Sequence, residues 1–536
     1  MTQFTITVVD TTGKQNYIFS SNRLRENIGA SFLLSQSTKE WVEETLVELK
    51  VPKKRQEEAI ESSELDAELI YAAGGNALIV FKSREIAIKF TQILSKRVLQ
   101  EAQGVNLLVA HKNFNWESEN LHSIVENLKK YDIERQKYER IPSVPLLGLG
   151  VTASCNSTQL PAVDKYINYG DEEETDSYLI STETKQKLQA VDKANQKLQS
   201  FFTDVVDQNI YQFPYRTDHL GRSKHESSYA AIVHADGNGM GNRFKKCGEG
   251  KENRNYIDDI RKFSKSVDKA GINALKAVTG ILIKSIQQGK LVGKIGEFNL
   301  NAKHYLPFRP LVYGGDDITF VCEGRLGLEL AALFLKEFEK QPVADGELLT
   351  ACAGVSVVRT HYPFARAYKI SEDLCKEAKK FVKDERKQYG VNYFSAIDWH
   401  LAASGLLGDI SEIRQREYQV NNGDKPWNLE MRPVRLQNNN REWRTWENFI
   451  QVVEEFKEGK DWKERHNKIM AFREILRKGS IEATQEFLRA YKLPQLPLFP
   501  ESSGQSKQLA RDGWVNSKCG YFDATEAMEF YIGLEG

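Results

Sequence analysis

The chain has little cysteine, no excess of charge of either sign and no long apolar run. Its six cysteines (Cys155, Cys247, Cys322, Cys352, Cys375 and Cys519) are scattered through 536 residues with no CxxC pair. A disulfide scaffold and a four-ligand zinc site are therefore not expected, and a reducing cytoplasm fits. Lys plus Arg number 74 and Asp plus Glu number 74, so the formal net charge is zero. That balance excludes a polycationic nucleic-acid coat and a strongly acidic mimic, but not a local basic channel. No apolar run approaches the roughly 18 residues of a membrane span, so no membrane role is expected. The opening MTQFTITVVD has no basic leader and reads at once as a strand, so no signal peptide is expected. With 40% hydrophobic and 28% charged residues the composition is globular. At roughly 150 residues per domain, three or four domains are expected.

What is present is an internal repeat. Phe4 to Val9 is an apolar, β-branched run ending at Asp10. An amphipathic stretch follows, then LIYAAGGNALIVF, two short strands broken by Gly74 and Gly75, then a helix and the strand VNLLVAHKNF. The order returns later. Tyr229 to His234 is a strand ending at Asp236, helical sequence runs from about 255 to 288, and PLVYGGDDITFVC repeats the strand, Gly-Gly, strand pattern. Helix and strand alternate to the closing YFSAID. This is the order of a ferredoxin-like or palm module. The fold class expected is α+β, with two palm modules at residues 1–115 and 223–402. A mostly helical, polar region (116–222) separates them and a helical region (403–536) follows. Two such modules suggest a pseudo-symmetric pair packed face to face. The acidic run Asp171 to Asp176 reads as a solvated loop, and residues 493–508 as a Pro/Ser-rich linker.

The chemistry points to Gly314-Gly315-Asp316-Asp317. Two adjacent acids at a hairpin tip repel unless something neutralises them, and a divalent cation does so. Side chains alternate along a strand, but at a turn both carboxylates can converge. Asp236 ends the neighbouring strand and would complete the set. Oxygen-only ligands suit Mg²⁺ or Mn²⁺, two ions of which could support phosphoryl transfer. Gly237, Asn238, Gly239 and Gly241 then form a glycine-rich loop whose amides could meet a triphosphate. Gly314 and Gly315 leave room for a phosphate to approach. The alternative is a plain turn, since Gly and Asp both favour turns.

The first copy carries Gly74-Gly75-Asn76-Ala77 at the equivalent tip, without either acid, and reads as catalytically silent. Asp10 there reads as a capping or solvated residue. Lys379, near the end of a helix, is either a phosphate-binding point charge or an exposed lysine favoured by the helix dipole. Arg309 is a weaker candidate for the same role. His234 shares a strand face with Asp236 and reads as a core histidine before a general base. Cys322 and Cys352 read as core.

These residues resemble a known family, the large palm-domain subunit of type III CRISPR effector complexes, in particular its Cmr-type branch. NYIFSSNRLRENIGASFLL, YAAGGNALIVF, GLGVTASCNSTQLPAV, YAAIVHADGNGMG, LVYGGDDITFVC and YPFARAYKISEDLCKEAKK carry the resemblance, over roughly residues 4 to 400. GGDEF-type and class III cyclases share the palm more distantly. The resemblance implies condensation of ATP into cyclic oligoadenylate messengers in antiviral defence. It places the metals on Asp316, Asp317 and Asp236, and matches Lys379 to the family's lysine. RNA and companion effector subunits are the implied partners, an oligomer is possible, and the location is the cytoplasm. No HD nuclease pair precedes the first palm, so DNA cleavage is not expected. The inter-palm region keeps only Cys155, so the family's zinc element is not expected. The alternative is a non-catalytic scaffold binding nucleotide or RNA, with Trp443, Trp446 and Trp462 interleaved with basic residues as its stacking surface. A buried amphipathic core explains the same tryptophans. Template-directed polymerisation uses the same palm chemistry.

Overall fold

A computed structural model describes residues 3–139, 150–167, 177–220, 228–300, 304–402, 408–422, 425–438, 442–499 and 505–534. The run Asp171 to Asp176 lies outside them.

The repeat is a repeat of topology. The first sheet is antiparallel, in the order Ala67–Ala73, Asn76–Phe81, Gln3–Thr12, Asn106–Asn115. The second places Phe308–Val312, Asp317–Glu323, Tyr229–Gly237 and Ala351–Arg359 in the same relative order. It then adds Ala396–Ala402, parallel to its neighbour, and the two-residue strand Val434–Arg435. In both sheets the opening strand is central and the Gly-Gly hairpin lies to one side of it. The central strands need apolar residues on both faces, which is why they read as unbroken runs rather than alternations. Phe4 to Val9 is buried throughout.

Alternation decides what each face of the second sheet meets. Ala231, Val233 and Ala235 pack with Phe263 and Val267 of the long helix Asn253–Lys284 and with helix Gly327–Glu339. Ala230 and Ile232, pointing the other way, share a core with helix Phe364–Tyr389 and with Leu33, Leu69 and Ile79 of the first module. The two modules are thus joined by common core.

The inter-palm region holds helices Leu121–Asn127, Thr182–Gln189 and Val191–Phe201 and the hairpin Asp164–Ile167/Ser177–Ile180. The C-terminal region is helical but also contains a small sheet of Gln419–Asn422, Lys425–Asn428, Lys518–Cys519 and Trp514–Val515. Strands this short have no period to read. The region is also tied to the second palm, since Val434–Arg435 extends its sheet. The linker reading of residues 493–508 is corrected over 493–499, where Leu493, Leu496 and Phe499 are buried and Pro494 and Pro497 separate these apolar anchors; residues 500–504 lie outside the described ones. Trp443, Trp446 and Trp462 are 5%, 1% and 2% exposed. Trp446 packs on Phe449, Trp462 on Phe456 and Phe472, and Trp443 on Phe499, so these rings are core and cannot be a stacking surface. No helix among the described residues is long and apolar enough to cross a membrane.

Candidate active site between the two hairpins

The second hairpin ends where the central strand ends, and its register places Asp317 directly opposite Asp236. Side chains opposite each other on neighbouring strands stand on one face, with Cβ atoms about 5 Å apart. Two carboxylates therefore meet at the same sheet corner. Asp317 Oδ1 is shielded from solvent and has no hydrogen-bond partner among the described residues. The nearest cationic candidate is His234 Nδ1 at 3.5 Å. His234 itself is buried, and burial holds its imidazole below the usual range, so it stays neutral. Its Nδ1 lies 3.2 Å from Thr319 Oγ1. That is the environment of a core histidine.

Asp316 occupies the turn and takes the other side. Its backbone carbonyl accepts from the Gly237 N–H at 3.1 Å, and its side chain packs where a Gly237 Cβ would stand. Asp316 lines a cleft of about 460 Å³ with Tyr71, Asn76, Lys129, Lys245 and Val267. Asp317 lines a second cleft of about 470 Å³ with Lys14, Lys39, Lys197, Tyr313 and Tyr368. Strand alternation thus persists up to the turn, and the adjacent acids face two clefts that both include Gly74 of the first hairpin. Burial, then the charge of Asp236, pushes the carboxyls of Asp316 and Asp317 up to about 7.

Lys379 projects from helix Phe364–Tyr389 into this corner. Its ammonium is 2.6 Å from Asp236 Oδ2 and donates to the Gly237 carbonyl at 3.1 Å. Burial lowers its proton affinity, and Asp236 more than offsets that, so it stays charged. As the side chains stand, no group of three His, Cys, Asp or Glu among the described residues closes on a single point. The donor chemistry nevertheless fits a divalent cation: hard carboxylate oxygens only, two on one face, one of which, Asp317, has an unpartnered oxygen and a raised proton affinity.

Residues 229–388 match the family described as Cas10/Cmr2, second palm domain. This segment is similar to a Cas10-type palm. No curated protein sequence matches the chain. Three solved structures share its architecture. Csm1 from T. onnurineus superposes with a TM-score of 0.54 at 14% identity, covering 98% of this chain and 70% of that one. Csm1 in the Csm1-Csm4 cassette with cA4 gives 0.52 at 12% identity, covering 98% and 69%. The same cassette with pppApApA gives 0.53 at 12% identity, covering 98% and 69%. At these identities the likeness speaks for the fold.

The glycine loop of this palm is divided in its duties. Asn238 faces inward: its amide donates to the Phe394 carbonyl at 3.0 Å and to Thr350 Oγ1 at 3.2 Å, and its backbone N–H is held by the Thr350 carbonyl. It shapes the loop from behind. Gly239 has φ +68° and caps the short helix Met240–Lys246, with the Tyr393 ring against its Cα. Gly241 faces open space. The amides at 239–241 form the open first turn of that helix, where no intrahelical acceptor exists. Gly314 and Gly315 have φ +146° and +78°, so the tip needs glycine for its backbone as well as for clearance.

Arg309 is not at the site. It is 1% exposed and donates to Asn195 Oδ1 and the Pro214 carbonyl, both at 3.0 Å, behind the hairpin. An inward-facing position on the edge strand Phe308–Val312, covered by the inter-palm region, explains this, and sequence proximity to the turn misled. Cys322 and Cys352 are buried core residues. In the first module the ladder pairs Ala77 with Val9, so the register equivalent of Asp236 is buried Val9, not Asp10. Asp10 is displaced by one residue, which reverses its face. It pairs with Lys14 at 3.6 Å and Lys137 at 3.4 Å. Sequence reasoning missed Lys14, which lines the Asp317 cleft and opposes that carboxyl's proton affinity. Its only signal is position, four residues after Asp10.

Proposed function

We propose that the chain is a Mg²⁺- or Mn²⁺-dependent nucleotidyl cyclase that condenses ATP into cyclic oligoadenylate messengers, as the palm subunit of a type III CRISPR-type effector. The observation that carries this is the pairing of Asp317 with Asp236 beside Asp316, at the tip of a Cas10-type palm and between two clefts. In each step a ribose hydroxyl of one adenosine unit attacks the α-phosphorus of a triphosphate, a new P–O bond forms, and pyrophosphate leaves. Asp236, Asp316 and Asp317 would hold the cations. Divalent ions, when bound, lower the cost of deprotonating the hydroxyl and stabilise the departing pyrophosphate. Lys379 would pair with phosphate oxygens once Asp236 has a cation instead. The open amides at 239–241 would take a second set of phosphate oxygens. The two clefts flanking the hairpin give separate places to an attacking and an attacked nucleotide. The similar structures, of the Csm1-Csm4 cassette with cA4 and with pppApApA, support adenosine chemistry and a companion subunit. RNA as activator belongs to the same proposal.

The test is turnover of ATP with Mg²⁺ or Mn²⁺, read as pyrophosphate release and product mass. Asp316→Ala with Asp317→Ala should abolish both. Full activity in that double variant refutes the assignment. Lys379→Met should raise KM for ATP about tenfold, the value of one charge-assisted hydrogen bond. A product of linear, template-matched sequence would favour a polymerase instead.

A further inference from the structure

The long helix Asn253–Lys284 carries Arg254, Arg261 and Asp268 at every seventh position, about two turns apart and hence on one stripe. The stripe faces the silent module. Arg254 and Arg261 both reach Glu68, on the strand that leads into the silent hairpin. Asp268, the last of the three, meets both modules. Its Oδ2 is 3.2 Å from the Lys39 ammonium of the silent module. Its Oδ1 accepts from the Gly315 N–H at 3.1 Å, in the Gly-Gly-Asp-Asp turn. One helical turn on, Gly271 lies under the other end of that residue: a Cβ there would stand 2.7 Å from the Gly315 carbonyl oxygen. The helix therefore grips Gly315 twice, by a carboxylate on its N–H and by a glycine cleared for its carbonyl. Gly315 precedes Asp316 directly, and its φ of +78° is one that other residues rarely adopt. A turn with such freedom needs an external hold if the two acids after it are to keep fixed positions.

We propose that Asp268 is a positioning residue for the catalytic turn, and that Lys39 makes the silent module part of that hold. This rests on the cyclase reading for its kinetic consequence and on geometry alone for the hold itself. Asp268→Ala removes both contacts. Asp268→Asn keeps an oxygen for the Gly315 N–H and nearly the same volume, and gives up only the charge facing Lys39. Lys39→Met removes that pairing from the other side.

Two readouts on the full chain decide it. Hydrogen exchange of the peptide spanning the turn should speed up roughly fivefold to tenfold in Asp268→Ala, the loss of one net hydrogen bond. It should stay near wild type in Asp268→Asn and change little in Lys39→Met. In ATP turnover, kcat should fall roughly tenfold or more in Asp268→Ala with KM within about twofold, because small misplacements cost rate more than binding. Asp268→Asn should recover most of kcat, and Lys39→Met should lose about twofold to threefold. Unchanged exchange in Asp268→Ala overturns the proposal, as does raised exchange with unchanged kcat. Equal damage in Asp268→Asn and Asp268→Ala overturns the hydrogen-bond hold. If the wild-type chain turns over no ATP under any condition, the cyclase reading fails, and exchange alone still decides whether Asp268 holds the turn.

Discussion

Replacing Glu68 with alanine should loosen the joint between the two modules. The Glu68 side chain has no exposed surface. It accepts from Arg254 Nη1 at 2.7 Å and Nη2 at 2.8 Å, from Arg261 Nη2 at 2.6 Å, and from the Ile60 N–H at 3.0 Å. Truncation leaves Arg261, itself mostly buried, facing a cavity with only the partly exposed Asp258, 3.3 Å away, to balance its charge. It also orphans the Ile60 amide. Breaking a buried pair from one side costs about 3–5 kcal/mol. Arg254 keeps Glu61 as a second partner, and Arg261 keeps the Leu69 and Ile70 carbonyls. The lower end, about 3 kcal/mol, is therefore expected. That is a large part of the roughly 5–15 kcal/mol that holds a folded chain. Urea denaturation followed by tryptophan fluorescence should show the midpoint falling with little change in slope. Glu68→Leu combined with Arg261→Met should cost less than the sum of the two alone, because the couple is removed whole. A Glu68→Ala variant within about 0.5 kcal/mol of wild type, or full additivity in the double variant, refutes the reasoning.

Two further outcomes follow from the same interactions. The carboxyls of Asp316 and Asp317 bind protons more tightly folded (about 7) than their ordinary 3.8. Stability from these groups is therefore present below pH about 4 and is lost as pH rises to about 7. In chelator the melting temperature should fall across that window, Asp317→Asn should flatten the fall, and Mg²⁺ should restore the wild type at pH 8 but not the variant. Half of the Asp317 side chain (48%) is open to water, which screens the repulsion, so the effect is a few degrees at most. A pH-independent melting temperature without metal contradicts it. Trp446→Ala should cost about 3–5 kcal/mol, since the ring is 1% exposed against Trp399, Phe449 and Tyr531. A stable Trp446→Ala variant that selectively loses RNA binding would return the tail to the surface reading.

Much of the architecture was legible because both modules pair apolar runs with Gly-Gly turns, signals that are local. The first hairpin, the first five strands of the second sheet and the helices between them follow from period and punctuation alone. The tail was harder, since its two-residue strands and its aromatic cluster depend on partners far along the chain. A tryptophan among arginines looks the same in sequence whether it faces water or Phe449. Arg309 shows the converse: charge and proximity to the turn suggested a ligand, and strand orientation buried it.

The amino-acid order by itself determined which acids exist and that a second copy lacks them. It also determined that glycine stands at both hairpin tips, where the backbone takes positive φ. Only the folded chain decided which acids share a face, because a strand register is fixed by its neighbours and a slip of one residue reverses every side chain. That is why Val9 rather than Asp10 lies opposite the silent tip, why Asp316 and Asp317 part company, and why Asp268, anonymous in its helix, comes to hold the turn between them and the rest of the molecule.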